Sequence, residues 1–408
     1  MNQINIGSSP FIASMQRIGM ALAGVGLLGL AATFALHGQE RFFADYLIGF
    51  WFFAGISITM VFFSALQYLA RAGWSASIRR IAENFTGFVP FILVGFIPII
   101  AQLFDSHHSI YEWAHASAAT DVIIQKKAAY LNPAFFAGRL VLYGLLWFGM
   151  MKFIVGNSVK QDTAGSDITP TKKNWKRSAP WVLLYAVTIT FCSFDLLMSL
   201  EPHWFSTIWG VYSFAGHFAA ALAIITLMTI ALRKRGLLGN YVTDEHYHDL
   251  GKLMFAFSVF WTYIAFSQYF IIWYANLPEE TIYFTFRQAG GWEFFGIALV
   301  LLHFIAPFII LLRQDVKRNA KVLTLAAIII LVSHFIDIVW IVMPAVSKVM
   351  AHGSGGHPEP HVMFGWSEFT GMLFFGGVFL YLTARNYQKR SAVASNDPLI
   401  SESLEYNT

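Results

Sequence analysis

The residues of this chain that could do chemistry are ionisable side chains set inside long apolar runs. Asp195 lies in the outer part of one run, and Asp337 lies nearer the middle of another, with His334 three residues before it. Positions i and i+3 share a helix face, so His334 and Asp337 can share a proton or a water. His217 and His303 fall near the middle of two further runs. Glu293 and Glu368 lie in the outer thirds of their runs, and Glu83 lies at the inner end of another. An ionisable group in lipid costs several kcal/mol, so each must face protein or water. A carboxyl buried without a cation favours its neutral form, which suits proton exchange. Together these residues form a candidate proton relay between the two faces of a membrane. Each also has a plainer reading: a buried histidine often satisfies a carbonyl on a neighbouring helix, and Glu293 and Glu368 can simply reach the outer interface.

Other chemistries are excluded by residue type. Cys192 is the single cysteine, so the chain can form no internal disulfide, no four-cysteine iron–sulfur site and no covalent haem attachment. His203 and His217 are fourteen residues apart, a spacing compatible with haem b ligands on one helix. However, Pro202 puts His203 at the start of its run, near the surface, and no second pair matches. His107 and His108 are adjacent and so do not face one site on a helix. His352 and His357 fall in the Gly-rich stretch 352–358, which reads as a flexible linker. No metal site is expected. The net charge of +4 and pI near 9.0 do not require nucleic acid, because basic residues collect in the cytoplasmic loops of membrane proteins.

The elements that must position these groups follow from composition. Of 408 residues, 57% are hydrophobic and 12% charged, about half the charge of an ordinary soluble domain. A bilayer core needs roughly 20 apolar residues as a helix. Ten segments qualify: about 17–37, 42–70, 80–103, 133–155, 179–200, 205–232, 250–275, 288–312, 320–347 and 362–385. They are continuous rather than alternating, which excludes a β-barrel. The first has no small-residue cleavage site after it, so it reads as a span and not a signal peptide. Pro90, Pro98 and Pro307 are expected to kink their helices. Of the 27 Lys and Arg, six (Arg41, Lys126, Lys127, Arg139, Arg287 and Lys348) fall on one side of this topology and 21 on the other. The bias predicts cytoplasmic termini and outer segments at 104–132 and 348–361.

An internal repeat is also expected. Gly49 to Gly55 and Gly210 to Gly216 share the pattern G-x-aromatic-x-F-A-G, and Asp195 and Asp337 each precede a proline (Pro202, Pro344) by seven residues. Four helices per copy make the copies parallel, not inverted. The fold class read from this is an all-α polytopic membrane protein with two four-helix bundles and two peripheral helices. The divisions are 1–40 for a peripheral helix, 41–203 and 204–348 for the bundles, 349–390 for an outer loop and final helix, and 391–408 for a disordered cytoplasmic tail.

Three stretches carry a family resemblance: Ser193-Phe194-Asp195-Leu196-Leu197-Met198-Ser199-Leu200-Glu201-Pro202-His203-Trp204, the run Asp249 to Phe257 (DLGKLMFAF), and Phe266-Ser267-Gln268-Tyr269 leading into Trp273 to Glu280. Over roughly residues 40–350 the chain resembles the smaller NrfD-like, polysulfide-reductase-type membrane subunit of bacterial alternative complex III. The resemblance implies a place in the respiratory electron-transport chain, in a quinol:cytochrome c, or quinol:oxidase, oxidoreductase of the bacterial cytoplasmic membrane. Menaquinol or another quinol is oxidised in such a complex, and electrons pass to iron–sulfur clusters and haem c in partner subunits. The implied partners are a paralogous larger membrane subunit, an iron–sulfur subunit, c-type cytochrome subunits and a terminal oxidase. This chain would hold no redox centre of its own and would conduct or couple protons. Two alternatives stay open. The chain could itself oxidise quinol, with Glu201 and His203 as candidates beside Glu293, or it could be a stand-alone secondary transporter. The second is disfavoured because Pro90 and Pro98 have no counterpart in the seventh span.

Overall fold

The computed structural model describes residues 4–105, 108–353 and 359–407. His107 and His357 lie outside these residues, as does the side chain of His352. The described residues are helical and contain no strand. The chain is an all-α polytopic membrane protein. Nine of its described helical segments are long and apolar enough to cross a bilayer.

The first two crossings are unbroken, α1 (Pro10–His37) and α2 (Gln39–Leu69), and Gly38 with φ of 88° makes the reversal between them. The third crossing is divided. Helix α3 (Ala76–Asn84) passes through a 3₁₀ turn, Phe85–Phe88, into α4 (Val89–Ala101). The tightened turn falls just before Pro90, which has no N–H to continue the ladder. After a short α5 (Val122–Lys127) come α6 (Pro133–Gln161), α7 (Thr169–Leu196), α8 (Trp209–Lys234) and α9 (Asp244–Ala275). A short α10 (Pro278–Arg287) precedes the eighth crossing, which is again divided: α11 (Trp292–Leu299), a π-helical turn Val300–Ile305, and α12 (Ala306–Leu311). Pro307 sits in the first turn of α12, and the widened turn relieves the clash its ring would make with the preceding carbonyls. The long α13 (Ala320–Gly353) is the ninth crossing. The tenth expected segment, 362–385, is helical as α14 (Glu368–Lys389) and falls outside the nine. Its 22 residues span about 33 Å.

Burial separates central from lipid-facing helices. In the most apolar stretch, 94% of residues are buried in α2 and 83% in α8, against 22% in α1. Helix α2 packs on α7, α8, α13 and α14, and α8 packs on α7, α9 and α13, so α2 and α8 form the axis of the molecule. Helices α1 and α14 pair with each other at the edge.

The tail from Ser391 is not disordered, contrary to its polar sequence. Ala392 donates its N–H to the Ile4 carbonyl, Asp397 pairs with Arg79, and α15 (Ile400–Leu404) sets Ser403 Oγ within 2.7 Å of Ser77 Oγ and 3.0 Å of His246 Nε2. Specific polar bonds to buried groups hold it, which a reading of composition does not register.

Candidate functional site

The axis helices bring four of the expected residues into one buried cluster. His217 on α8, His334 and Asp337 on α13, and His303 on the π turn are each at most 2% exposed. The His217 and His334 rings meet edge to face with centroids 4.7 Å apart, and His303 lies 6.5 Å from His334. Space for the rings comes from the last glycine of each repeated motif. A Cβ on Gly55 would sit 2.0 Å from the His217 ring, and one on Gly216 would sit 2.9 Å from the His334 ring. Only glycine allows an imidazole this close to a neighbouring helix backbone.

The hydrogen bonding in the cluster is unequal. His217 Nδ1 lies 2.8 Å from the Ser213 carbonyl of its own helix, and Nε2 lies 3.2 Å from the Trp51 carbonyl on α2. A neutral imidazole can donate to one of these carbonyls at a time, and an imidazolium to both. Ser333 donates its own hydrogen to the Ile330 carbonyl at 2.9 Å, so His303 donates from Nδ1 to Ser333 Oγ and its Nε2 is left without a partner. The Trp261 ring packs on His303 at 3.9 Å, and its Nε1 is also unpartnered. Neither nitrogen of His334 has a hydrogen-bond partner. Asp337 Oδ2 stands 4.0 Å from His334 Nδ1, too long for a direct bond. The Tyr212 hydroxyl donates to Asp337 Oδ1, and among the described residues no Lys or Arg pairs with Asp337. Among the described residues no three of His, Cys, Asp or Glu are arranged to hold a metal ion.

The remaining expected residues lie in other environments. Asp195 does not match Asp337. Arg139 on α6 donates to both its oxygens, Nε to Oδ2 at 3.0 Å and Nη2 to Oδ1 at 2.8 Å, and the Tyr143 hydroxyl adds a bond at 2.9 Å. The expectation of a cation-free carboxyl therefore fails at Asp195, because Arg139 turns inward rather than to the outer surface. Glu83 is bound by Arg80 Nε at 2.7 Å and by Ser158 Oγ at 2.7 Å, with Arg79 at 3.6 Å. Glu368 is paired with Arg41. Glu293 accepts the Gly291 N–H at 2.8 Å and so caps α11.

The quinone candidates are also engaged. Glu201 forms ion pairs with Arg287 and Lys348, each at 2.7 Å. Burial pushes its carboxyl up, but these two cations outweigh burial and hold it below the usual carboxylate range. The cavity beside it holds about 10 Å³, room for about one water. His203 lies before α8 begins, so it shares no helix with His217. Its Nε2 is 2.7 Å from Asp121 Oδ2. The Ile124 N–H and His203 lower the Asp121 carboxyl. An apolar cavity of about 1000 Å³ lies between α1, α8 and α14, and none of the candidate proton or quinone residues lines it.

Sequence reasoning missed the partners: Arg139, Arg41, Arg79, Arg80, Arg287, Lys348, Tyr212 and the buried Asp45. The available signal was an arginine or aspartate inside, or at the edge of, an apolar run, a place where a surface residue has no business. No protein-family model matches the chain, and comparison with curated proteins gives no match.

Proposed function

We propose that the chain is an integral membrane subunit of a quinol:electron-acceptor oxidoreductase of the alternative complex III type, and that it conducts or couples protons through Asp337, His334, His217 and His303. The observation that carries the proton reading is Asp337. Among the described residues it is a buried carboxyl without a Lys or Arg partner, beside a histidine with both nitrogens unpartnered. Desolvating such a group is costly, and an apolar residue would pack there better. The run Ser193 to Trp204 carries the family reading.

In this proposal a proton on Asp337 passes to His334 through a small side-chain shift or one bridging water, since 4.0 Å is one such step. His334 hands it on to His217, whose ring can donate toward either flanking carbonyl. His303, fixed as a donor at Nδ1, offers Nε2 as a further acceptor. Gly55 on α2 and Gly216 on α8 each leave room for one histidine of the path, His217 and His334. The quinol chemistry belongs to partner subunits carrying iron–sulfur clusters and haem c, in the bacterial cytoplasmic membrane with both termini of this chain inside. Quinol oxidation at Glu201 and His203 has less support, because Glu201 is held in two ion pairs beside a cavity too small for a quinone ring and His203 is hydrogen-bonded to Asp121.

The test is purification of the tagged chain in mild detergent. Co-purification with an iron–sulfur subunit and a haem c spectrum is expected. A chain that purifies alone from its native membrane, and conducts a solute, would contradict the reading and favour a transporter.

A further inference from the structure

Asp45 stands in the second turn of α2 and is fully buried, yet neither carboxyl oxygen has a hydrogen-bond partner. The nearest cation is Arg41 on the same helix, with Nε 3.6 Å from Asp45 Oδ2. The hydrogens of Arg41 point elsewhere. Nε and Nη2 donate to Ser367 Oγ at 3.0 and 2.8 Å, Nη1 donates to the Met363 carbonyl at 2.8 Å, and Nη2 also donates to Glu368 Oε1. The other Glu368 oxygen accepts the Gly365 N–H at 2.9 Å. Glu368 therefore has direct bonds from Arg41 and the Gly365 N–H, whereas Asp45 has only the 3.6 Å approach of Arg41 and no hydrogen bond. The charged and polar groups facing Asp45 are Arg41 from its own helix, and Glu368 and Ser367 from the entry to α14. Two carboxyls share one guanidinium, so the group is neutral only when it carries one proton. A second uncompensated charge in this position costs several kcal/mol, and the directly bonded Glu368 is the poorer place for the proton.

The position of Asp45 connects it to the cluster. Asp45 and Phe52 are seven residues apart and so share one face of α2, about 10 Å apart along the axis. The Phe52 ring lies 5.3 Å from His334. Towards the near end of α2, Gln39 donates to Asp105 at 3.1 Å, and Asp105 is partly exposed. We infer that Asp45 is a proton-binding carboxyl, the terminal site of the path at the end of the bundle that carries residues 104–132, with the Arg41–Glu368 ion pair setting its charge. The inference rests on the proton path proposed above. In each transfer the Asp45 O–H bond breaks as its proton leaves toward water near Asp105, and a proton arriving from the cluster side restores it; no electrons move.

The test is infrared spectroscopy of the purified full-length protein in H₂O and D₂O, paired with proton flux in the reconstituted complex. At neutral pH a protonated-carboxyl stretch is expected that shifts in D₂O, disappears in Asp45→Asn and survives in Asp337→Asn. Glu368→Gln should also remove it, because Asp45 can then ionise against Arg41; a merely structural Asp45 would not respond this way. Asp45→Asn should lower proton flux at least tenfold with subunit composition intact. Identical carboxyl bands in the wild type and Asp45→Asn would overturn the inference, as would full flux in Asp45→Asn where Asp337→Asn abolishes it. If the Asp45 band is present and exchanging while the wild-type complex moves no protons, Asp45 stands as a proton-binding group and the path reading is the one that fails.

Discussion

Two aspartates that look equivalent in sequence should respond oppositely to the same isosteric change. Asp195→Asn leaves Arg139 buried with a neutral partner. It removes the negative charge from a bidentate pair in which the guanidinium is 7% and the carboxylate 0% exposed. Removing one partner of such a pair typically costs about 3–5 kcal/mol, because the remaining charge is left uncompensated. Asp337→Asn strands no cation. The amide oxygen can still accept from the Tyr212 hydroxyl, so the cost is about that of one perturbed hydrogen bond, roughly 1 kcal/mol. The difference, about 2–4 kcal/mol, corresponds to roughly 30- to 1000-fold in an unfolding equilibrium. Denaturation of the purified protein with a harsh detergent, followed by circular dichroism, can read it. Adding Arg139→Gln to Asp195→Asn should recover much of the loss, since the uncompensated charge is then gone. Equal destabilisation by Asp195→Asn and Asp337→Asn, or no recovery in the double variant, would refute the separation of a structural from a proton-exchanging aspartate.

Other expectations follow from the same geometry. Gly216→Ala places a methyl group 2.9 Å from the His334 ring; it should cost about 1–3 kcal/mol through overpacking and slow proton flux, whereas Gly156→Ala, with open space around it, should do neither. Glu201 is held below its usual value of 4.5, so its ion pairs stabilise the fold above that pH, and the contribution is lost as pH falls through the lowered value. Melting temperature should therefore drop more steeply below about pH 4.5 in the wild type than in Glu201→Gln, and parallel curves would count against the ion pairs. In a Cys192→Ala background, a membrane-impermeant thiol reagent applied from the periplasm should label Ser117→Cys and not Ser166→Cys, both at exposed positions; the reverse pattern would invert the topology.

Much of the fold was legible because a bilayer enforces long apolar runs, and the places where helices break were legible because proline cannot donate a hydrogen bond. Pro90 follows the 3₁₀ turn of the third crossing, and Pro307 follows the π turn that carries His303. The pairing of His334 with Asp337 followed from helical spacing, but the arrival of His217 and His303 beside them depends on tertiary packing that a single sequence does not state. The ion pairs were hidden for a specific reason. Counting basic residues by side treats each as solvent-facing, yet Arg41, Arg139, Arg287 and Lys348 turn toward buried carboxylates. The tail from Ser391 was misread because its polar residues are satisfied by partners far away in sequence, such as Arg79 for Asp397 and Ser77 for Ser403.

The central claim is that protons move through the Asp337–histidine cluster without this chain performing the redox step. The most direct measurement is proton release per electron in the purified complex reconstituted in vesicles, comparing the wild type with Asp337→Asn. The account predicts at least a tenfold fall in proton movement through this chain, with haem content, subunit composition and quinol oxidation rate close to wild type. Unchanged proton release in Asp337→Asn and His334→Gln, with both complexes intact, would contradict it.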